Sequence, residues 1–385
     1  MSDSASEPGT TADGEAFTSP STTVSESATP GVGELLAPHD DAYAALRLPN
    51  VRLYLAGNMM SILAQQMQTV AVGWEIYERT GSELALGWVG LVQFMPVIAL
   101  ALPAGQTADR YQRKHIIMLA MLAIAACSLG LAWVSARQGS IYAMYGCLLA
   151  SGVARAFQQP AKASFLPQIV PREHFGNAVA WNLGGFQIAA VAGPALSGYL
   201  IWLFGGAKVV YLVDAALSLG FCLLLTMIVA PRFVRSVEAV TARGLAAGVG
   251  FVLRNKIILA ALTLDMFAVL LGGATTLLPV FAKNILDVGP DGLGWLRAAP
   301  AAGALLMSLG LAHRPPARAG RALVLAVVGF GLATIVFGFS RSFWLSLAML
   351  FLTGVFDSIS VVVRHTLVQM LTPDAMRGRV SAING

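Results

Sequence analysis

Charged residues are scarce in this sequence, since Asp, Glu, Lys and Arg make up only 12% of its 385 residues. Soluble domains carry about 25%, so a single water-soluble domain is excluded. Hydrophobic residues instead account for 56%, with a mean hydropathy of +0.70. They gather in runs long enough to cross a bilayer. The composition therefore predicts an all-α protein that crosses a membrane several times.

Cysteine is also rare, and the motifs of common enzymes are missing. Cys127, Cys147 and Cys222 each lie in an apolar run, and neither their number nor their spacing suggests a disulfide framework or a metal site. The sequence has no Gly-x-x-x-x-Gly-Lys phosphate loop, no His-Glu-x-x-His and no Gly-x-Ser-x-Gly. We therefore expect no catalytic residues, no metal, no cofactor and no ATP-driven chemistry, and the chain is not expected to be an enzyme.

Basic residues are absent before Arg47, whereas the same stretch holds eight acids. Residues 1–46 lack the basic start and apolar core of a signal peptide, so a disordered cytoplasmic tail is predicted. The pI near 9.3 is compatible with nucleic acid. The bases, however, lie between apolar runs, where they would face anionic lipid. We expect the lipid bilayer, and no nucleic acid, as a partner.

Ten runs after the tail are long enough to span the membrane. Their approximate bounds are 52–77, 83–106, 115–135, 140–161, 175–204, 208–230, 257–282, 291–312, 321–340 and 343–365. With the N-terminus inside, inner segments carry 18 Lys and Arg residues, Lys162 among them, and outer segments carry five. The positive-inside rule therefore predicts a cytoplasmic N-terminus.

An internal repeat divides the chain into two halves. Leu86-Gly87-Trp88 recurs 207 residues later as Leu293-Gly294-Trp295, and Gly152-Val153 recurs 202 residues later as Gly354-Val355. Parallel repeats of this kind are typical of transporters. We predict an N-terminal half at 47–231, a cytoplasmic linker at 232–256 and a C-terminal half at 257–385. By this symmetry the second half has four of six helices, and its last two are missing.

A loop motif between the second and third spans carries a family resemblance. It reads Gly105-x-x-x-Asp109-Arg110-x-x-Arg113-Lys114 and resembles the signature of the major facilitator superfamily. Gly105 is expected to permit close helix packing, and Asp109 with the bases to form an ion network. A plain positive-inside loop would explain the bases but not Gly105 and Asp109. The resemblance implies two parallel six-helix halves, with the first, fourth, seventh and tenth spans lining a central cavity.

Further motifs point to the exporter branch of that superfamily, which includes enterobactin and macrolide efflux proteins. Leu278-Pro279-Val280-Phe281-Ala282 resembles this branch. Gly193-Pro194-x-x-x-Gly198 in the fifth span is similar to the Gly-Pro motif of antiporters. A proline-kinked helix packed on small residues is the alternative. Arg155 only loosely matches the arginine that many drug antiporters carry in the fourth span.

Ionisable residues inside spans are costly and each needs an explanation. Arg155 in the fourth span and Asp357 in the tenth are equivalent repeat positions, so they could pair across the halves and separate as the halves rock. A static ion pair, or Arg155 reaching the inner interface, is the alternative. Asp265 in the seventh span corresponds to Asn58 in the first, and it is a candidate proton carrier or a helix-packing acid. Asp214, Arg297 and Glu75 lie near outer ends, where they could reach the interface.

Polar side chains form a stripe on the first span. Its members are Asn58, Ser61, Gln65, Gln68 and Glu75, which fall within a 100° arc of the helix. Lipid would not tolerate such a stripe, so these residues face protein or water. Cavity lining is the preferred interpretation, and hydrogen bonding between buried helices is the alternative.

The resemblance implies a monomeric secondary transporter of a bacterial inner membrane. Its expected activity is efflux of an amphipathic small molecule, a drug or a siderophore, against entering protons. One alternative is an importer of the same fold. Another is a transport-inactive fragment or membrane partner protein, which the two missing helices keep open.

Overall fold

The computed structural model describes residues 43–229, 274–313 and 319–371, together with Leu259 and Thr263. Ten helices of ten residues or more are named here in chain order. They are α1 Pro49–Thr80, α2 Glu83–Ala99, α3 Ala101–Arg110, α4 Arg113–Ala136, α5 Ile141–Ile169, α6 Phe175–Phe204, α7 Lys208–Met227, α8 Pro290–His313, α9 Ala319–Phe339 and α10 Phe343–Leu371. Short 3-10 and π-helical turns join them at 44–47, 172–174 and 274–285.

The described residues confirm an all-helical membrane fold. Five helical segments are long and apolar enough to cross a bilayer: Arg113–Ala136, Arg172–Phe204, Lys208–Met227, Gly320–Phe339 and Phe343–Arg364. The bent pair α2 and α3 makes a sixth. α1 and α5 are less apolar because they carry amides and basic residues. The count of ten spans stays a prediction, since most of the span at 257–282 lies outside the described residues.

The predicted span at 83–106 is broken into α2 and α3, whose axes meet at 52°. Pro103 has no N–H to donate to the carbonyl of Ala99, so the helical hydrogen-bond ladder is interrupted there. The Leu100 N–H still bonds to the Pro96 carbonyl, and the change of direction lies at Leu100, whose φ of −99° and ψ of 4° depart from helical values. The break was not expected from hydropathy, because the two pieces taken together are apolar enough to cross a bilayer.

The described helices pack in two groups. In the first half, α1 packs against α6 and α7, α4 against α5 and α7, and α2 against α5; in the second, α10 packs against both α8 and α9. α6 and α8 form the main contact between the two groups. The largest buried cluster contains residues of both, including Met67, Tyr211 and Leu296.

Equivalent glycines make equivalent contacts in the two halves. A side chain at Gly152 of α5 would come within 2.8 Å of the Gln93 carbonyl oxygen of α2. Its repeat partner Gly354 of α10 lies directly against the Pro300 carbonyl of α8, so a Cβ there would overlap it. α2 and α8 are the second and eighth spans, and α5 and α10 the fourth and tenth. The repeat seen in sequence is therefore a repeat of contacts.

Candidate functional site

A chain of hydrogen bonds crosses the core of the first half. Arg155 Nη2 of α5 donates to Gln68 Oε1 of α1 at 2.5 Å, and Gln68 Nε2 donates to Ser128 Oγ of α4 at 3.3 Å. Ser128 Oγ then donates to Asp214 Oδ2 of α7 at 2.6 Å. All four side chains are at most 8% exposed. We call Arg155, Gln68, Ser128 and Asp214 the buried relay.

Two further hydrogen bonds join α1 to its neighbours nearer the N-terminal end of α1. Lys162 Nζ of α5 donates to Ser61 Oγ at 2.9 Å and lies 5.1 Å from the centre of the Phe221 ring. Asn58 Nδ2 donates to Asn182 Oδ1 of α6 at 2.8 Å. Lys162, which directly follows the predicted span at 140–161, lies within α5, because this helix continues to Ile169, and the Ser61 hydroxyl and the Phe221 ring contact its ammonium.

A cavity of about 400 Å³, which we call the Asp357 cavity, lies among α1, α6, α8, α9 and α10. Its polar lining includes Asp357, Gln66, Gln187, Thr334 and Thr353, and its apolar lining includes Phe186, Phe330 and Phe337. Asp357 is the one formally charged member among these described lining residues. A cavity with aromatic walls and a few convergent polar groups suits an amphipathic small molecule.

A second and larger cavity, of about 1040 Å³, lies beside α2 and α5. Arg155, Gln65, Gln93 and Gln159 supply its polar lining, and Phe94 and Val97 belong to its apolar lining. We call it the Arg155 cavity. The neighbours Gln65 and Gln66 line different cavities, because successive helical residues point about 100° apart.

The polar stripe of α1 serves two purposes. Gln65 lines the Arg155 cavity, whereas Asn58, Ser61 and Gln68 are buried and bonded to other helices. For these three residues the structure has the helix–helix hydrogen bonding that was the alternative interpretation. Glu75, near the C-terminal end of α1, is paired with Arg79, which also donates to the Gly139 carbonyl at 3.1 Å.

Arg155 and Asp357 are not paired in this structure. Arg155 bonds to Gln68, and Asp357 lines the cavity on the side of the second half. Their opposed charges at equivalent positions thus have different surroundings, and an exchange of partners during transport stays a prediction. Asp265 lies outside the described residues.

The loop motif contacts backbone rather than acid. Arg113 Nη1 donates to the Ser164 carbonyl at 3.3 Å, and Lys114 Nζ donates to the Ile228 carbonyl at 2.8 Å, beyond the end of α7. A cation at the end of a helix is electrostatically favourable. Among the described residues no salt bridge joins Asp109 to a base such as Arg110, and nothing lies within 4 Å of a Cβ built on Gly105. The expected ion network and close packing are therefore not found here.

The Gly-Pro motif of α6 lies at the contact between the halves. A side chain at Gly198 would lie 2.9 Å from the Cα of Gly294 in α8, and one at Gly294 would lie 2.6 Å from the Pro194 carbonyl oxygen. On another face, a side chain at Gly193 would meet Gln66 of α1 at 2.6 Å. These small residues let three helices approach closely, which is the packing role considered for the motif.

The roles of three residues that form polar contacts or line a cavity in the structure were not predicted from the sequence. Asp214 was expected to reach the interface, but it is only 1% exposed and completes the buried relay. Lys162 was counted only as a base of an inner segment, and Gln66 was not included in the polar stripe of the first span. A single sequence gives no signal for such residues, because partners on other helices decide their role. Among the described residues, no group of His, Cys, Asp or Glu is placed to hold a metal.

Comparison with known proteins agrees with this geometry. The family model of the Major Facilitator Superfamily matches residues 54–385. The chain is 26% identical over 342 residues to enterobactin exporters EntS of Shigella boydii serotype 18 and Escherichia coli strain SE11, which spans 87% of this chain and 80% of each relative.

Solved structures show the same fold at low identity. A bacterial homologue of the human lysosomal transporter Spinster, inward-facing and unoccupied, superimposes with a TM-score of 0.67 at 15% identity, covering 90% of this chain and 79% of that one. A bacterial homologue of the iron transporter ferroportin, inward-facing, gives a TM-score of 0.65 at 16% identity, with 88% and 87% covered.

Proposed function

Because the chain belongs to the major facilitator superfamily and is a membrane transporter, we propose that it exports an amphipathic small molecule in exchange for entering protons. The Asp357 cavity carries this proposal. It is formed by helices of both halves, as expected of a substrate site used in alternating access. Its rings and hydroxyl, amide and carboxylate groups match a drug-like or siderophore-like molecule rather than a bare ion or a sugar.

The direction of transport is supported by the relatives. EntS proteins are named as exporters of enterobactin, a siderophore, and they match most of this chain. A monomer in a bacterial inner membrane with a cytoplasmic N-terminus completes the proposal. Within it, Arg155, Asp265 and Asp357 are the candidate coupling and gating residues, and Asp357 also contacts the substrate. The Gly-Pro motif of α6 provides the surface on which the halves move.

The proposal is tested in everted membrane vesicles that are energised with a proton gradient. A panel of amphipathic drugs and siderophores is offered, and both substrate accumulation and proton release are followed. We expect at least one compound to accumulate with proton movement, and Asp357→Asn to abolish that accumulation. Asp291→Asn is the matched control, because Asp291 is exposed at the start of α8 and lines neither cavity.

Failure of every compound to move protons through the wild-type protein would remove the export proposal. Proton-dependent loss of preloaded substrate from the everted vesicles, in place of accumulation, would favour an importer. Full activity of Asp357→Asn would move the substrate site away from the Asp357 cavity.

A further inference from the structure

We propose that Asp214 is a proton-binding site of the first half, and that Arg155 responds to its charge through Gln68 and Ser128. This proposal deepens the proton coupling of the proposed function and rests on it for its role in transport. Asp214 lies on α7, outside both cavities, so it is separate from the substrate site.

The direction of the hydrogen bonds supports the assignment. From Arg155 to Gln68, from Gln68 to Ser128 and from Ser128 to Asp214, each donor points towards the carboxylate. A buried cation and a buried anion are thus joined by two neutral groups whose dipoles are aligned. Aligned bonds polarise one another and lower the cost of burying both charges.

Ser128 makes the relay compatible with both states of Asp214. Its hydroxyl has a second acceptor, the Ile124 carbonyl, at 3.0 Å. When Asp214 is charged, Ser128 donates to the carboxylate. When Asp214 is protonated, its O–H can donate to Ser128 Oγ, and Ser128 donates to Ile124 instead. A hydroxyl accepts two hydrogen bonds, so the bond from Gln68 to Ser128 persists, and the carbonyl oxygen of the protonated Asp214 can still accept from Ser218, its other hydrogen-bond partner.

The charged surroundings single out Arg155 as the partner of Asp214. α5 contributes Arg155, and α4 contributes Cys127, both within electrostatic reach. From α1, Glu75 is already paired with Arg79, and Tyr211 of α7 is within electrostatic reach of both that pair and Asp214. The one titratable residue of α6, Tyr199, is exposed. Arg155 is therefore the one basic side chain that the relay connects to the carboxylate.

Protonation of Asp214 has a consequence for the Arg155 cavity. Once the carboxylate is neutral, Arg155 is a buried cation without a counter-charge, which is costly in the membrane interior. The protein then favours a conformation in which the guanidinium reaches water or another acid. Because Arg155 already lines a cavity, a small movement of α5 suffices.

The decisive experiment is infrared difference spectroscopy on purified protein stepped from alkaline to acidic buffer. We expect a protonated-carboxyl band that Asp214→Asn removes and Asp291→Asn retains. Ser128→Ala should shift the frequency and the titration midpoint of this band, whereas Ser151→Ala should not. Ser151 is equally buried, but its hydroxyl bonds only within its own helix, to the Leu148 carbonyl.

A band unchanged in Asp214→Asn would overturn the proposal. If that variant does not fold, an unshifted band in Ser128→Ala would overturn it equally. In proteoliposomes, Asp214→Asn should retain substrate exchange and lose proton-driven accumulation, and intact accumulation would again contradict the assignment. A wild-type protein that transports nothing would remove the proposed function alone, since the infrared result does not depend on transport.

Discussion

The two repeat-related charges of this protein lie in contrasting surroundings. Arg155 is held inside the first half by a relay that ends at Asp214, and every member of that relay has a partner. Asp357, at the equivalent position of the second half, lines a cavity with amides, hydroxyls and aromatic rings. Both charges line cavities, but in the described residues the relay links Arg155, and not Asp357, to a buried counter-charge. We therefore expect Arg155 to remain held by its buried partners and Asp357 to interact with a ligand in its cavity.

The close contact between α8 and α10, which repeats the contact between α2 and α5, should be the feature whose substitution destabilises the protein most. Gly354→Leu places a side chain on the Pro300 carbonyl, so we expect a loss of about 3 kcal/mol or more and little folded protein. Gly338→Leu is the control, because nothing lies within 4 Å of a Cβ there. Fluorescence-detected size-exclusion chromatography measures both variants. Equal yields would mean that the close approach of α8 and α10 is not required.

Removing the charge of Arg155 should cause the next largest loss of stability. Arg155→Gln leaves Asp214 buried without its compensating cation, which costs about 3 kcal/mol. Adding Asp214→Asn removes the uncompensated charge, so the double variant should be more stable than Arg155→Gln alone. Thermal unfolding of the purified proteins in detergent measures this cycle. Strictly additive losses would show that the two residues do not interact.

Loss of a hydrogen bond between two uncharged side chains of different helices should lower the free energy of unfolding by less. Asn182→Ala removes the acceptor of Asn58 Nδ2 and leaves that amide donor buried, with an expected cost of about 1–3 kcal/mol. The double variant Asn58→Leu with Asn182→Ala replaces both partners by apolar groups and should recover part of it. The unfolding temperatures of the single and double variants test this prediction. If the double variant recovered no stability, Asn182 would contribute to packing independently of Asn58.

The charge that faces the cavity should matter least for stability. Asp357→Asn leaves the relay intact and is expected to change the free energy of unfolding by less than about 0.5 kcal/mol, since it breaks no described hydrogen bond. Its effect should instead appear in transport. If Asp357→Asn destabilised the protein as strongly as Arg155→Gln, the contrast between the halves would disappear.

Much of the fold was predictable from the sequence, and less of the site was. The bounds of α4, α6 and α8 lie within two residues of their predicted spans, because unbroken apolar runs and charged ends mark membrane helices well. The break at Leu100 and the extension of α5 to Ile169 were missed. The break depends on Pro103, and the extension of α5 depends on the partners that Lys162 finds on other helices. Hydropathy registers neither of these causes.

The sequence by itself determined that this is a helical membrane transporter with a duplicated plan, because the length of apolar runs and the spacing of glycines follow from the thickness of the bilayer and the closeness of helix packing. Only the tertiary structure decided the use of each buried polar residue. Gln65 and Gln66 are neighbours of one residue type that face different cavities, and Asp214 finds its counter-charge three helices away along the relay. In the low dielectric of a membrane interior, the role of a polar group depends on its partner, and partners are brought together by folding.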